Sequence, residues 1–420
     1  MNKLVGKYIS LPFLFKFFLL LIILLRVSLF ILPSFKIDMG DWQAWALRIV
    51  NVGPTNFYVA GMLADYLPFF YLLLFVFTKI FVLIFGNPAI LTLTFDIYMR
   101  LISNGFDFLA AYVIFLIVKR HNPKWAFLSA ILYLLNPGVI FNSSVWGQTD
   151  SIPTFFFLFG IYQLNEAKSI EKGSVAAVLS VLVKPLNVAA FPIMGIRALK
   201  NFSIKRIIIA GFLGFAVFLA VTMPFFIKDP IFGVFGHLVN SLSVYPYASL
   251  NAYNFWELLT GWWKTDSTVF FGLSYHIWGY ILYLFILCII LFPYAKIKKS
   301  FLEIDYFAAA LSSFAFFLFL TRMHERHLFP IFPLLVISAF IFKSRILIIS
   351  YIIISIVHFV NLFYSYYYYN FVYSNYLAGD NILFKVSLNY ANFFSIVFLF
   401  LFIIMLINYF SIYRKAKLKK

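Results

Sequence analysis

The sequence predicts an all-α, polytopic membrane protein with about twelve membrane segments, a full span needing roughly 20 apolar residues. Two observations carry that prediction. Of 420 residues, 64% are hydrophobic and only 11% charged, with a mean hydropathy of +0.95; soluble domains are nearer half apolar and a quarter charged. Apolar runs also recur along the whole chain, separated by stretches that carry most of the Lys and Arg. This composition excludes a disordered chain, a disulfide scaffold and a soluble multidomain enzyme. The single Cys288 lies in an apolar run. It allows neither an intrachain disulfide nor a Cys-based metal site, and it reads as a small buried hydrophobe.

The first apolar run, 11–32, follows Lys3 and Lys7. It is longer than a signal-peptide core, contains Arg26 and lacks a small-x-small cleavage site, so it reads as an anchor. Further runs lie at 95–118, 125–143, 151–164, 174–183, 186–197 and 207–227. The remainder are 269–294, 304–320, 328–342, 346–364 and 386–411. Those at 174–183 and 186–197 are short and meet at Lys184-Pro185. Proline breaks or kinks a helical pattern, so the pair reads as a broken hairpin. The stretch 67–85 poses a parity problem. A full crossing would move Lys119, Arg120 and Lys124 to the face opposite the other basic clusters, so an interfacial or re-entrant helix is expected.

With that parity, one face collects Lys3, Lys7, Lys168, Lys172, Arg197, Lys200, Lys205 and Arg206. The same face holds Lys296, Lys298, Lys299, Lys343 and Arg345, and the terminal Arg414, Lys415, Lys417, Lys419 and Lys420. Loops left in the cytoplasm collect Lys and Arg, so this face and both termini are expected to be cytoplasmic. The net charge of +18 is thus a topology signal. With no Gly-rich phosphate loop and no aromatic-interleaved basic patch, nucleic acid is excluded as a partner. Most acids fall on the other face: Asp38, Asp41, Asp65, Asp150, Asp229, Glu257, Asp266, Glu325 and Asp380. That face also owns the long loops 33–66, 228–268 and 365–385, rich in Trp and Tyr. Long loops are usually functional or disordered. Chemistry is therefore expected on the extracytoplasmic side of a cell membrane.

Asp38 and Asp41 open a helical pattern that continues through Trp42, Trp45, Ala46 and Ile49. Carboxylates at a helix N-terminus are stabilised by free N–H groups and the dipole, so both suit capping. Either also suits a general base at a water–membrane boundary; a divalent cation is a weaker reading. Asp65-Tyr66-Leu67-Pro68 precedes 67–85 and fits a cap with proline in the first turn. Asn136-Pro137 and Asn142 lead to Trp146-Gly147-Gln148-Thr149-Asp150. Asp150 can cap the next helix, yet aromatic, amide and carboxylate groups together also suit carbohydrate recognition. Lys184 sits at the break beside Pro185 and Asn187. An ammonium there either snorkels or pairs and lines a cavity.

The densest signal is Thr321-Arg322-Met323-His324-Glu325-Arg326-His327-Leu328-Phe329-Pro330. Arginine is suited to bidentate phosphate binding, with His324 a further donor and Glu325 part of the network. A purely structural charge network is the alternative. Metal binding by His324 and His327 is disfavoured, because the i,i+3 pair shares a helical face that Glu325 does not. The Tyr-rich segment 364–369 reads as an aromatic belt or as lining for a lipid or sugar.

Taken in order, Asp38 seven residues before Trp45, Asp65-Tyr66-Leu67-Pro68, Trp146 to Asp150, Lys184-Pro185 and His324 to Pro330 resemble a known series. They are similar to the GT-C membrane glycosyltransferases, in particular prokaryotic relatives of the GPI-anchor mannosyltransferase. More distantly they resemble the dolichyl-phosphate-glucose-dependent glucosyltransferases. The resemblance spans about residues 36–330, and it departs at Leu67, where the eukaryotic enzymes tend to carry Pro, and at Arg326, where they tend to carry Lys. It implies inverting transfer of a hexose, mannose or glucose, from a polyprenyl-phosphate donor to a glycan or glycolipid acceptor. No metal or other cofactor is implied. By position Asp38 matches the base, with Asp41 the alternative. Asp65, Tyr66, Trp146, Gln148 and Asp150 would hold substrate, and Lys184, Arg322, His324 and Arg326 the phosphate. The competing class is a transporter or flippase of lipid-linked sugars, which needs polar groups near the midplane; Asp96, Arg100 and Asp107 are the dense candidates.

Overall fold

The computed structural model describes residues 13–59, 61–296, 304–373 and 380–418. Lys3, Lys7, Lys298, Lys299, Lys419, Lys420 and part of loop 365–385 lie outside these residues. The chain is helical nearly throughout. Helices α1 (Phe13–Ser28), α2 (Lys36–Val52), α3 (Pro68–Phe85), α4 (Leu93–His121) and α5 (Ala126–Leu134) come first. They are followed by α6 (Pro137–Ile140), α7 (Ser151–Asn165), α8 (Ile170–Val183), α9 (Phe191–Asn201) and α10 (Ile204–Thr222). Next are α11 (Phe232–Ser243), α12 (Phe255–Thr260), α13 (Tyr275–Lys296) and α14 (Ile304–Phe319). The series closes with α15 (Ile331–Ile341), α16 (Arg345–Tyr367), α17 (Ile382–Asn389) and α18 (Ala391–Leu418). The strands are two-residue pieces: β1 (Ser249–Leu250), β2 (Val269–Phe270), β3 (Leu273–Ser274) and β4 (Met323–His324). β1 pairs in parallel with β4, and β2 antiparallel with β3.

This is an all-α, multi-pass membrane protein. Among the described residues six helices are long and apolar enough to cross a bilayer: α3, α4, α10, α13, α16 and α18. The number reaches eight if two bent pairs each form one span, α1 with α2 (bent by 90°) and 123–134 with 137–146 (bent by 48°). Twelve segments was therefore too many. The difference lies in runs such as 151–164, 174–183, 304–320 and 328–342, whose helices have 15, 14, 16 and 11 residues. Protein covers α14 and α15 on nearly every face. A helix wrapped by its neighbours need not match the hydrocarbon thickness, and short apolar runs are usually of this buried kind. Composition does not separate the two cases, because lipid tails and neighbouring side chains are equally apolar. Cys288 corrects the other way: it is exposed on α13, where lipid makes an apolar side chain equally acceptable.

The stretch expected to be interfacial or re-entrant forms one unbroken helix, α3, long and apolar enough to cross a bilayer. At its start Tyr66 reaches Gln148. Near its finish Phe81 packs on Phe95, whose neighbour Asp96 accepts from Ser34 at the start of α2. The chain does break at Lys184-Pro185: α8 stops at Val183, residues Pro185–Ala190 form a 3-10 turn, and α9 follows.

Ion pairs tie the buried faces together. Arg26 contacts Asp107 at 2.7 Å and also bonds Asn104 and the Leu134 carbonyl. Arg100 pairs with Asp96 at 2.6 Å, and Arg197 with Asp305 at 3.2 Å. A buried charge is tolerated best when paired and hydrogen-bonded; Arg26 and Asp107 meet that condition, whereas Arg197 is paired while its Nε and Nη1 lack a hydrogen bond among the described residues. Asp96, Arg100 and Asp107 are thus consumed in joining α1 to α4 and to the 141–146 turn, where Arg100 bonds the Ser144 carbonyl.

Candidate functional site

Asp38 lies in the first turn of α2, but it caps nothing: the N-cap position is Phe35 and no side chain caps the helix. Its Oδ2 instead accepts from Trp146 Nε1 at 2.8 Å and from Gln148 Nε2 at 2.7 Å. The loop that brings these donors together is built locally. Asn136 Oδ1 accepts from the N–H groups of Gly138 and Val139, starting α6, and residues 141–146 continue as a π-helical turn. Such turns are rare and frequent at functional sites. Gly147 ends it at φ 86°. A Cβ there would meet Arg100 Cγ at 3.1 Å and Met39 Cε at 3.3 Å, so both conformation and space require glycine. Two further contacts dock the turn on α2: the Phe35 N–H donates to the Trp146 carbonyl, and the two rings stack with centroids 4.2 Å apart.

Gln148 is oriented from behind. Its Oε1 accepts from the Thr149 N–H and the Tyr66 hydroxyl, both at 2.8 Å, which leaves its NH2 facing Asp38. Lys184 Nζ pairs with Asp150 Oδ1 at 2.7 Å and lies 5.0 Å from the centre of the Tyr66 ring. Asp150 occupies the N-cap position of α7 without capping it; Lys184 claims the carboxylate instead. Trp146, Gln148 and Asp150 are fully buried. They form a layer beneath the site: Trp146 and Gln148 donate to Asp38, and Asp150 pairs with Lys184 through Oδ1, while its Oδ2 is buried without a hydrogen bond among the described residues. These residues, which sequence reasoning assigned to substrate, and Lys184, assigned to phosphate, are thus brought together here.

Above this layer lies a cavity of about 150 Å3 lined by Asp38, His324, Glu325, Arg326, Asn251 and Ser365, with Phe35, Ile37, Tyr245, Trp263 and Tyr369. The 321–330 junction enters it because β4 pairs with β1, holding Met323 beside Ser249 and His324 beside Leu250. Arg326 contacts Glu325 at 3.2 Å, and its guanidinium carbon lies 6.0 Å from the centre of the Trp146 ring. Burial works against its charge, but Asp38 and Glu325 outweigh that and hold it above the ordinary arginine pKa. Its Nε is buried and bonds nothing among the described residues. Buried donors without a partner are uncommon. In sequence comparison the chain matches no protein-family model and no curated protein.

Four further residues singled out in the sequence are placed as follows. Arg322, expected on the phosphate, sits at φ 64°, donates to Asp266 at 2.7 Å and to the Leu242 carbonyl at 2.8 Å, and does not line the cavity. His324 lines it as a neutral ring: burial, then Arg326, His327 and Lys184, push its pKa well below the usual value. It is a polar contact, not a cation. Asp41 does not line the cavity; burial first, and then Asp38 and Asp65, push its carboxyl up to about 6. Asp65 does not cap α3, whose N-cap is Leu67. Its carboxyl is raised by burial, against the pull of Lys184 and Arg326. Among the described residues no three metal-ligating groups converge.

Sequence reasoning missed Tyr245, Asn251, Trp263 and Ser365 as lining, and treated Tyr369 mainly as belt. The available signal was the Trp and Tyr content of 228–268. That composition marks an interesting loop without saying which ring turns inward.

Proposed function

We propose that the protein is an inverting glycosyltransferase of the GT-C type, moving a hexose from a polyprenyl-phosphate donor to a glycan or glycolipid acceptor. The observation that carries this reading is Asp38. One carboxylate oxygen is held by two donors, and the side chain enters a cavity shared with Arg326. A carboxylate with one oxygen pinned presents the other, Oδ1, in a fixed direction to take a proton.

The step balances as follows. The acceptor hydroxyl gives its proton to Asp38 Oδ1 while its oxygen bonds the anomeric carbon from the face opposite the phosphate. The glycosidic C–O bond breaks, and its electrons leave on the polyprenyl phosphate. The phosphate diester becomes a monoester and gains negative charge. A preorganised cation aimed at that charge is a large catalytic term, and Arg326 is the cavity's arginine. A prenyl-linked donor suits a cavity on a membrane protein because its chain stays in hydrocarbon. The flippase alternative loses its support where Asp96, Arg100 and Asp107 are spent in ion pairs.

Purified protein in nanodiscs, given a polyprenyl-phosphate hexose and an acceptor glycan, should release polyprenyl phosphate. Lipid-linked sugar crossing a bilayer without release would overturn the transferase reading. In this reading the site faces the extracytoplasmic side of a cell membrane and both termini are cytoplasmic, which the distribution of Lys and Arg supports. Lys264→Cys should then label from outside intact cells and Lys343→Cys should not; the reverse result inverts the topology.

A further inference from the structure

Trp263 is 41% exposed, yet it is held on several sides. Its indole Nε1 donates to Asn251 Oδ1 at 2.9 Å. Its backbone N–H donates to the Ser249 carbonyl at 3.0 Å, and the Tyr247 ring meets it edge-on with centroids 5.2 Å apart. Asn251 is fixed in turn: its carbonyl accepts from Asn361 Nδ2 at 2.6 Å, and its backbone bridges to His324. Both residues occupy the left-handed region, Trp263 at φ 64° and Asn251 at φ 60°. Asparagine enters that region readily, but a bulky tryptophan is held there only where its surroundings over-determine it, and such strain clusters at ligand sites. A membrane-belt tryptophan turns its N–H to the wet side. Trp263 turns it inward to Asn251 and leaves the ring to the cavity.

A pyranose ring has one face of C–H groups and a rim of hydroxyls. The C–H face is complementary to the electron-rich face of an indole, and the hydroxyls to amide and carboxylate groups such as Asn251 and Asp38. An aromatic ring immobilised before binding loses little entropy when the ligand arrives. From this we infer that Trp263, locked by Asn251, is the stacking platform for a pyranose ring in the cavity. Whether that ring belongs to acceptor or donor rests on the transferase reading; the platform itself does not.

The test uses the full-length protein in nanodiscs, with methyl α-mannopyranoside and methyl α-glucopyranoside as probes and glycerol as control. Saturation-transfer NMR should show ring-proton saturation of at least one glycoside and none of glycerol. Trp263→Ala should weaken binding about tenfold, the order of one aromatic contact. Trp263→Tyr should retain most of it, showing that the loop still folds. In the transfer assay a raised KM for the glycoside alone assigns the platform to the acceptor, and a raised donor KM alone assigns it to the donor sugar. Saturation that depends on Trp263 without polyprenyl phosphate release keeps the platform and removes the transferase reading. No saturation in the wild type, or binding unchanged in Trp263→Ala, overturns the platform whatever the transfer assay gives.

Discussion

Gln148 donates from Nε2 to Asp38 Oδ2 at 2.7 Å, while Tyr66 and the Thr149 N–H hold its carbonyl oxygen from behind. The amide therefore has one orientation available to it. Asp38 thus receives a donor that cannot be exchanged for an acceptor.

Replacing Gln148 by Leu should change the base rather than the binding of substrate. With one of the two donors to Oδ2 gone the carboxylate is no longer held in one direction, so kcat should fall by about 10²-fold as alignment is lost while the KM for the sugar donor stays within a few-fold. A raised KM with kcat unchanged would mean that Gln148 serves substrate binding instead.

The identity of the base is separable by kinetics. Asp38→Asn should lower kcat by about 10²-fold or more with donor binding largely intact, while Asp41→Asn should stay within a few-fold, because Asp41 does not line the cavity. Steady-state rates of polyprenyl phosphate release decide it. A dead Asp41→Asn beside an active Asp38→Asn would reverse the assignment.

Two arginines four residues apart should behave differently. Arg326→Gln removes the cavity's arginine, and a charge that develops only as the phosphate leaves predicts a larger effect on kcat than on KM, of about 10²–10³-fold. Arg322→Gln removes the 2.7 Å partner of the buried Asp266 and leaves it the longer contacts to His276 and Thr321. It should lower thermal stability while the folded fraction turns over near normally. Equal catalytic losses in both variants would return Arg322 to the phosphate site.

Gly147→Ala should injure both stability and turnover. The new Cβ meets Arg100 and Met39, and alanine is strained at φ 86°, costing more than about 1 kcal/mol. The displaced residues flank Gly147, and both donate to Asp38. Thermal unfolding together with kcat checks it. A variant of normal stability and normal rate would mean that the turn adapts without moving Trp146 or Gln148.

The membrane class and the clustering of Asp38, Trp146, Gln148 and Arg326 were legible in the sequence, because charged and amide groups in an apolar chain are few and each must be placed. The division of labour was not. Asp38, Asp65 and Asp150 each precede or open a helix and read as caps; which carboxylates are diverted to Trp146, Gln148 and Lys184 depends on how distant segments meet. Arg322 and Arg326 look equivalent along the chain, yet a left-handed residue at 322 turns one to Asp266 while the other enters the cavity. The number of spans was overread for a related reason: α14 and α15 are as apolar as lipid-facing helices, and only packing shows that protein surrounds them.

The imidazoles of His324 and His327 supply the last prediction, on stability against pH. Burial, with Arg326, Lys184 and, for His324, its partner ring, holds both pKa values well below the ordinary 6.5. The unfolded chain takes up these protons near pH 6.5, and the folded chain does not. The unfolded state therefore binds more protons below that pH, so stability is present above about 6.5 and is lost as the pH falls. Each group contributes up to about 1.4 kcal/mol per pH unit in that window. Glu325 works in the opposite sense, because burial raises its carboxyl pKa; it is common to wild type and variant, so it largely cancels from their difference. Thermal unfolding in nanodiscs at about pH 7 and about pH 5 should show a fall in midpoint for the wild type that is clearly smaller in His324→Asn/His327→Asn. The same acidification should bring donor binding no gain before unfolding begins, since neither ring becomes a cation in the folded site. Equal pH sensitivity in the two proteins, or a donor affinity that rises with acidification in the wild type alone, would mean that one of these rings is protonated in place and that the cavity carries a second cation beside Arg326.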